Sequence, residues 1–242
     1  MVVDNNIIVF LGDIHGRAIW KDILNREQWS KCIFMGDYFD PYKDIPVKDL
    51  CKNFYEILDL KEQYPDRVVL LMGNHDFHYI YKHNWGERYS RYSNRTARET
   101  AYLLQTLYSK HTLRVAYTVD NILATHAGVT KRWFYDHRTR PEELPLFIED
   151  ELNEQPLGNF IFDSGPDLYE CYGNSVHQGP LWVRPEALNL GKIDHYTQIV
   201  GHTQIQRLVF HNNVYYIDCL GTSKEYLTYN EITKEFTIKQ IS

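Results

Sequence analysis

Five short polar segments hold the residues of this chain that could do chemistry: Gly12-Asp13-Ile14-His15-Gly16, Gly36-Asp37-Tyr38-Phe39-Asp40, Gly73-Asn74-His75-Asp76, Thr125-His126-Ala127-Gly128 and Gly201-His202-Thr203-Gln204. They offer carboxylate oxygen, imidazole nitrogen and amide oxygen, the donors that a pair of divalent transition metals takes at a hydrolytic centre. Such a centre needs one ligand shared by both ions. Aspartate suits that place because its two oxygens can each bind one cation, and Asp37, central in the order, is the natural bridge. One such segment could be a turn with a satisfied histidine; five along one chain argue for convergence.

The elements that must position these residues are short. Asn6 to Leu11, Lys31 to Met35 and Arg67 to Met72 are nearly continuous apolar runs, the pattern of strands buried on both faces of a parallel or mixed sheet. Each meets a glycine followed at once by Asp13, Asp37 or Asn74, which places the polar residue just past the strand's C-terminal end, where open α/β sheets bind ligands. Helical spacing predicts helices over Arg17 to Gln28, Val47 to Gln63, about Thr96 to Lys110, and Glu142 to Leu152. Leu113 to Val119 and Asn121 to Thr125 read as a hairpin turning at Asp120-Asn121 and delivering His126. From Gln198 onward, strand patterns alternate with turns at Gly201, Asn212-Asn213, Gly221 and Asn230, which reads as a second, mostly antiparallel sheet packed on the first. Residues of about 141–194, rich in Pro, Gly and Asn, read as a loop-rich insertion beside the site.

The 242 residues are read as one domain, because the polar segments span Asp13 to His202 and must meet. A composition of 43% hydrophobic and 24% charged residues, without repeats or low-complexity tracts, excludes a disordered chain. The net charge of −6 argues against generic attraction to nucleic acid or anionic membrane. No signal peptide or membrane span is read, and Cys32, Cys51, Cys171 and Cys219 lack the spacing of a zinc knuckle or disulfide framework, so a reducing cytoplasm is the expected home.

The segments GDIHG, GDYFDPY, GNHD, THAG and GHTQ resemble the calcineurin-like metallophosphoesterase superfamily, whose pattern runs GDxHG, GDxxDRG, GNHE or GNHD, a histidine before Ala-Gly or Gly-Gly, and a late GH. The likeness is closest to the phosphoprotein phosphatase and diadenosine-tetraphosphatase branch and extends from about Ile7 to His202. It implies an α/β fold, a two-sheet β-sandwich flanked by helices in four layers, with a dinuclear metal site at the strand C-terminal ends. It further implies that Asp13, His15 and Asp37 hold one divalent ion, and that Asp37, Asn74, His126 and His202 hold the other. Manganese is expected first, with iron, zinc or cobalt as alternatives. His75 would be the general acid, with Asp40 orienting its ring and raising its pKa, and a hydroxide bridging the metals would attack directly without a phosphoenzyme.

Two positions depart from the pattern. Pro41 stands where the pattern has the arginine that clamps substrate phosphate, and Gln204 stands where many members place a further metal-binding histidine, leaving it a possible metal ligand. Arg184, in Leu181-Trp182-Val183-Arg184, is similar to the LWxR arginine of bacterial phosphatases in this branch and is the first candidate to reach phosphate. The second source is the basic-aromatic stretch 77–98, where Lys82, Arg88, Arg91, Arg95 and Arg98 alternate with Tyr79, Tyr81, Trp85, Tyr89 and Tyr92; Arg95 and Arg98 are taken from it as substrate-binding. Of the histidines outside the motifs, His78 and His177 lie nearest the site loops.

The expected activity is a metal-dependent phosphomonoesterase, a Ser/Thr or Tyr protein phosphatase among its forms, acting on a phosphorylated protein or small molecule and not at a membrane. Asp76 in place of glutamate and Pro41 in place of arginine leave a phosphodiesterase or dinucleoside polyphosphate hydrolase as the alternative, and the basic-aromatic stretch leaves nucleic acid open as a partner. A non-catalytic scaffold of the same fold is the third reading.

Overall fold

Alternation along β1 (Ile7–Leu11) sets the layering. Successive strand residues face opposite sides, so Ile8 and Phe10 join one core while Val9 and Leu11 join another, all four with no exposed surface. The computed structural model describes residues 6–81, 91–138, 148–162 and 173–241. Among them, β1 lies within a six-stranded sheet whose order is β11 (Glu235–Gln240), β10 (Glu225–Asn230), β1, β2 (Trp29–Phe34), β3 (Val68–Leu71) and β4 (Leu113–Arg114). β1 through β4 run parallel, and β10 and β11 add antiparallel strands at one edge.

The second sheet has five strands, ordered β5 (Ala116–Val119), β6 (Ile122–Thr125), β7 (Thr197–Val200), β9 (Val214–Tyr216) and β8 (Val209–His211). Between the sheets, Ile8, Phe10, Ile33, Met35, Val69 and Leu71 meet Ile122, Ala124 and Ile199 in a dry core. On the outer face of the first sheet, Val9, Leu11, Phe34 and Leu70 pack against α1 (Ile19–Arg26), α2 (Val47–Gln63) and α4 (Asn94–Ser109) through Ile23, Phe54, Ile57 and Leu104. On the outer face of the second sheet, Ala187 and Leu188 of α7 (Pro185–Gly191) cover Val200, Val214 and Tyr216. Each large side chain buried in these layers contributes about 1.5–3 kcal/mol of transfer free energy. The four-layer order of helix, sheet, sheet and helix is the one the resemblance implied. No helix among the described residues is long and apolar enough to cross a membrane.

Several expectations change. The run Leu113 to Val119 is not one strand: β4 pairs with β3 in the first sheet and β5 with β6 in the second. At the crossing, the Asn153 side-chain oxygen takes the amides of Val115 and Ala116 at 2.7 and 3.0 Å, so the chain leaves one ladder for the other without orphaning its donors. The tail is not one antiparallel sheet. β7 runs parallel to both β6 and β9, β8 and β9 form an antiparallel hairpin, and β10 and β11 return to the first sheet. Parallel neighbours require a crossover, and the long connection from β6 to β7, which carries α5 (Lys131–His137), α6 (Ile148–Asn153) and α7, provides it.

The stretch read as loop-rich therefore holds α6 and α7 within its described parts; the expected helix start at Glu142 lies outside the described residues. Pro185 at the first position of α7 is the signal for that helix, since it supplies helical φ where no amide donor is needed. α4 begins at Asn94, earlier than expected, because the Ser93 hydroxyl caps the Thr96 amide at 3.2 Å.

Candidate metal centre and substrate cleft

All five polar segments lie at the C-terminal ends of parallel strands. β1, β2 and β3 lead to Asp13, Asp37 and Asn74, while β6 and β7 of the facing sheet lead to His126 and His202. The turns are tight enough to force left-handed backbone on side-chain-bearing residues: φ is +43° at His15, +54° at Asp37, +55° at Asp40 and +64° at His202. Such conformations cost about 1–3 kcal/mol each and persist where the surroundings over-determine them. One such constraint is Asp76, the last residue of α3's first turn (α3, Asn74–Ile80). Its fully buried carboxylate accepts the amides of Gly73 and Asp37 at 2.8 Å and of Tyr38 at 3.0 Å, tying the loops after β2 and β3 together. Gly36, at φ +102°, could carry no side chain there, since a Cβ would stand 2.4 Å from the Gly73 nitrogen. Across the site, Asp13 Oδ1 accepts the His202 amide at 3.0 Å and so joins the two sheets' loops.

The donor atoms converge with their electron pairs facing inward. His15 Nδ1 donates to the Phe39 carbonyl at 2.8 Å, which leaves Nε2 bare at 3.6 Å from Asp37 Oδ2 and 3.9 Å from Asp13 Oδ2. His126 Nδ1 donates to the Met35 carbonyl at 2.8 Å, leaving Nε2 3.6 Å from the same Asp37 oxygen and 2.9 Å from Asn74 Oδ1. His202 is turned the other way: Nε2 faces the Trp182 carbonyl at 3.1 Å, and Nδ1 lies 2.8 Å from Asn74 Oδ1. Backbone carbonyls that hold one ring nitrogen in this way direct the other at a metal.

Electrostatics gives the same reading. Asp13 and Asp37 are 1% and 2% exposed, and burial, followed by neighbouring carboxylates, pushes both acids well above the usual range. Burial also holds His15 and His202 well below the ordinary imidazole value and His126 at about 3, so these rings stay neutral. Buried anions and bare nitrogens facing one another are unfavourable without a positive charge between them. That set of oxygen and nitrogen donors fits divalent cations, with Asp37 Oδ2 midway between the His15 and His126 nitrogens.

His75 lies beside this cluster. Its Nδ1 donates to Asp40 Oδ2 at 2.9 Å, and the same carboxylate receives His78 Nε2 at 2.8 Å and the Tyr79 hydroxyl. Burial opposes ionisation of Asp40, but these bonds outweigh it and hold the acid at about 2. Asp40 does favour a charged His75, as expected; burial outweighs it, however, and with His78 and Arg91 nearby the ring falls to about 4 instead of rising. Its Nε2 accepts from Arg91 Nη2 at 3.0 Å, while Arg91 Nη1 donates to the Asp40 carbonyl at 2.6 Å and the guanidinium lies 3.9 Å from the Tyr42 ring centre.

A cleft of 380 Å³ opens over the cluster, lined by Asp37, Asn74, His75, His202, Tyr42, Trp182, Thr203, Gln204, Arg91 and Arg184. Arg184 Nη1 reaches the Thr203 hydroxyl at 3.1 Å. Gln204 sits exposed at the rim. Arg95 and Arg98 do not reach this cleft: both are on the solvent side of α4, and Arg95 lines a separate groove with Val47, Cys51 and Tyr55 of α2. Lys82, Trp85, Arg88 and Tyr89 lie outside the described residues. Among the described residues, Arg91 is thus the cation of the basic-aromatic stretch that meets the site, and no spacing singles it out from the other four. Asp76 is not among the residues that line the cleft, its carboxylate being taken up by the backbone amides of Gly73, Asp37 and Tyr38.

Comparisons with known proteins follow the same line. A family model described as calcineurin-like phosphoesterase matches residues 7–206. The serine/threonine-protein phosphatase 6 catalytic subunit of Drosophila melanogaster is 30% identical over 190 residues, 73% of this chain and 55% of that protein, so the chain spans little more than half the length of this curated relative. Among solved structures, a mutant of a cold-active protein tyrosine phosphatase is similar with a TM-score of 0.54 at 16% identity, covering 98% of this chain and 81% of that one. A serine/threonine phosphatase from Saccharomyces cerevisiae gives 0.54 at 15% identity, covering 99% and 81%. A metallophosphoesterase from Sphaerobacter thermophilus gives 0.54 at 14%, covering 98% and 88%. At these identities the structural likenesses show the fold.

Proposed function

This chain belongs to the calcineurin-like phosphoesterase family, and on that premise we propose that it hydrolyses phosphate monoesters, with phosphoserine, phosphothreonine or phosphotyrosine proteins among its candidate substrates. The observation that carries the monoester reading is the pair of guanidiniums, Arg91 and Arg184, in the cleft above the Asp37 cluster. Two fixed positive charges suit a terminal phosphate dianion. Arg91 comes from elsewhere in the chain, yet it is bonded to Asp40 and stacked on Tyr42, on either side of Pro41. It restores a guanidinium where the motif lacks one, which removes the main argument for a diester.

Asp13, His15 and Asp37 would hold one divalent cation, and Asp37, Asn74, His126 and His202 the other. When bound, the ions supply Lewis-acid neutralisation of phosphate charge and acidify water toward neutrality. Donors without thiolate suit manganese, iron, zinc or cobalt, with manganese the first to test. Arg184 and Arg91 bind and orient the phosphate. When Arg91 turns to the phosphate it leaves His75 Nε2, which then takes up a proton and delivers it to the departing oxygen while Asp40 holds Nδ1. Residues of about 141–194 belong in this reading to the same single domain and supply Trp182 and Arg184 to the cleft.

A second reading, a polyphosphate or diester substrate, is favoured by one observation. A hollow of 330 Å³ adjoins the cleft through Tyr42 and Gln204 and presents Arg17 and Lys43, where a second phosphate could rest. A panel of a simple aryl phosphate, phosphopeptides, a bis-aryl diester and a dinucleoside polyphosphate, with manganese present, separates the two. Faster turnover of the diester or polyphosphate would transfer the proposal to the second reading, and no monoester turnover would end the first. Cys32, Cys51 and Cys219 are free thiols, which fits a reducing cytoplasm.

A further inference from the structure

Asp218 lies outside the five polar segments, and nothing in the mechanism above uses it. The residue is 1% exposed, and among the described residues no N–H or hydroxyl donates to either of its carboxylate oxygens. Buried polar groups are nearly always paired, so an orphaned carboxylate asks what it faces. The backbone around it answers. Ile217 donates its amide to the Val200 carbonyl at 2.8 Å, and the Asp218 carbonyl accepts the Ile205 amide at 3.0 Å, which threads residue 218 alongside the loop that presents His202. On its other side runs Gly12, where an added Cβ would stand 2.4 Å from the Ile217 oxygen and 3.3 Å from Asp218 Cα. The bare glycine lets residue 218 approach the segment carrying Asp13. Asp218 therefore stands where the loops of Asp13 and His202 meet, and Arg17, the nearby cation, gives its guanidinium to the Asp13 carbonyl at 3.0 Å.

Its charge is felt at the centre. After burial, Asp218 is the largest influence raising the Asp13 acid, and it also raises Asp37. Burial pushes Asp218 itself up to about 6 against the pull of Arg17, of a hydrogen bond with the neighbouring Asp13 carboxyl, and of Arg91 and Arg184. The loop after β7 offers no further imidazole at position 204, because Gln204 occupies that place and lies exposed at the rim.

We infer that Asp218 supplies a carboxylate to the cation held by Asp13, His15 and Asp37, in the place that Gln204 leaves without a nitrogen donor. The inference rests on the two-cation reading above. It also makes a burden of the metal-free state into a use: the carboxylate is kept bare for a cation.

Metal-free wild type and Asp218→Asn are compared by calorimetric titration with manganese(II), by mass-spectrometric counting of bound metal, and by thermal unfolding before loading. Wild type takes up two ions per chain. Asp218→Asn keeps one at wild-type affinity and binds the other roughly 10–100-fold more weakly. Its metal-free form melts above metal-free wild type, because the isosteric amide removes an uncompensated buried charge. Two ions bound by Asp218→Asn with unchanged affinities overturn the inference and leave the two-cation reading standing. A metal-free variant that melts below wild type overturns it too, by making Asp218 a support of the fold. Absence of any bound ion in wild type ends the two-cation reading and the inference with it.

Discussion

Arg91→Ala removes a guanidinium that makes three contacts: a bond to the Asp40 carbonyl, a bond to His75 Nε2, and the stack on Tyr42 at 3.9 Å. In the substrate complex the fork would exchange the His75 bond for charge-assisted bonds to phosphate. Bonds of that type contribute about 1.5–3 kcal/mol each, and exchange of a neutral partner for a charged one leaves a net effect of about 2–4 kcal/mol. At 1.36 kcal/mol per factor of ten, kcat/KM for an aryl phosphate monoester should fall roughly 30- to 1000-fold. Arg91→Lys keeps the charge but not the planar fork and should recover about tenfold of that loss. Steady-state kinetics at saturating manganese, with KM and kcat resolved, is the assay, and a parallel metal titration shows that the centre is intact. The reasoning fails if Arg91→Ala stays within threefold of wild type in kcat/KM while binding metal normally. It fails equally if the lysine variant is no better than alanine, since the bonds would then owe nothing to positive charge.

Asp37→Asn and His75→Ala should both abolish turnover, but only Asp37→Asn should lose bound metal, as metal counting on the purified variants would show. Asp76→Ala strands three buried backbone amides, those of Gly73, Asp37 and Tyr38. At about 1–3 kcal/mol for each orphaned donor, urea unfolding should show a loss of at least ~3 kcal/mol, with metal binding weakened although Asp76 is no ligand. In chelated protein, Asp13, Asp37 and Asp218 hold protons more tightly folded than unfolded, burial being the first cause in each. Their contribution is therefore fully present below the ordinary carboxylate range and is lost as pH rises through about 6, the Asp218 value. Melting temperatures of the metal-free protein should fall between about pH 5 and pH 8, and saturating manganese should reverse the trend because cations displace those protons.

The candidate ligands are legible because each rests on a local signal. Asp13, Asp37 and Asn74 come one residue after a glycine that ends an apolar run, and that arrangement of side chains is what a strand end and tight turn require. What depends on distant contacts is not legible. The break between Leu113-Arg114 and Ala116–Val119 is decided by Asn153, whose side chain is the acceptor for both amides at the crossing. Arg91 is one of five cations in its stretch, and only the stack on Tyr42 and the bond to His75 distinguish it from Arg95 and Arg98. Asp218 does carry a faint signal, an acid directly after the apolar run Val214 to Ile217, but it lacks the glycine that marks the other three. The balance of His75 goes against the sequence-based expectation because burial, which no motif reports, exceeds the pull of Asp40.

The division of donors between the sheets has a mechanical consequence. Of the motif donors, Asp13, His15, Asp37 and Asn74 come from the first sheet, whereas His126 and His202 come from the second, and Asp13 Oδ1 to the His202 amide is a direct hydrogen bond across that seam. A bound cation pair would act as a rivet through the mouth end of the sandwich. Chelation would then loosen that end while the dry core around Phe10, Ile33 and Ile199 stayed closed, so that amides after β6 and β7 should exchange hydrogen faster without the molecule as a whole melting.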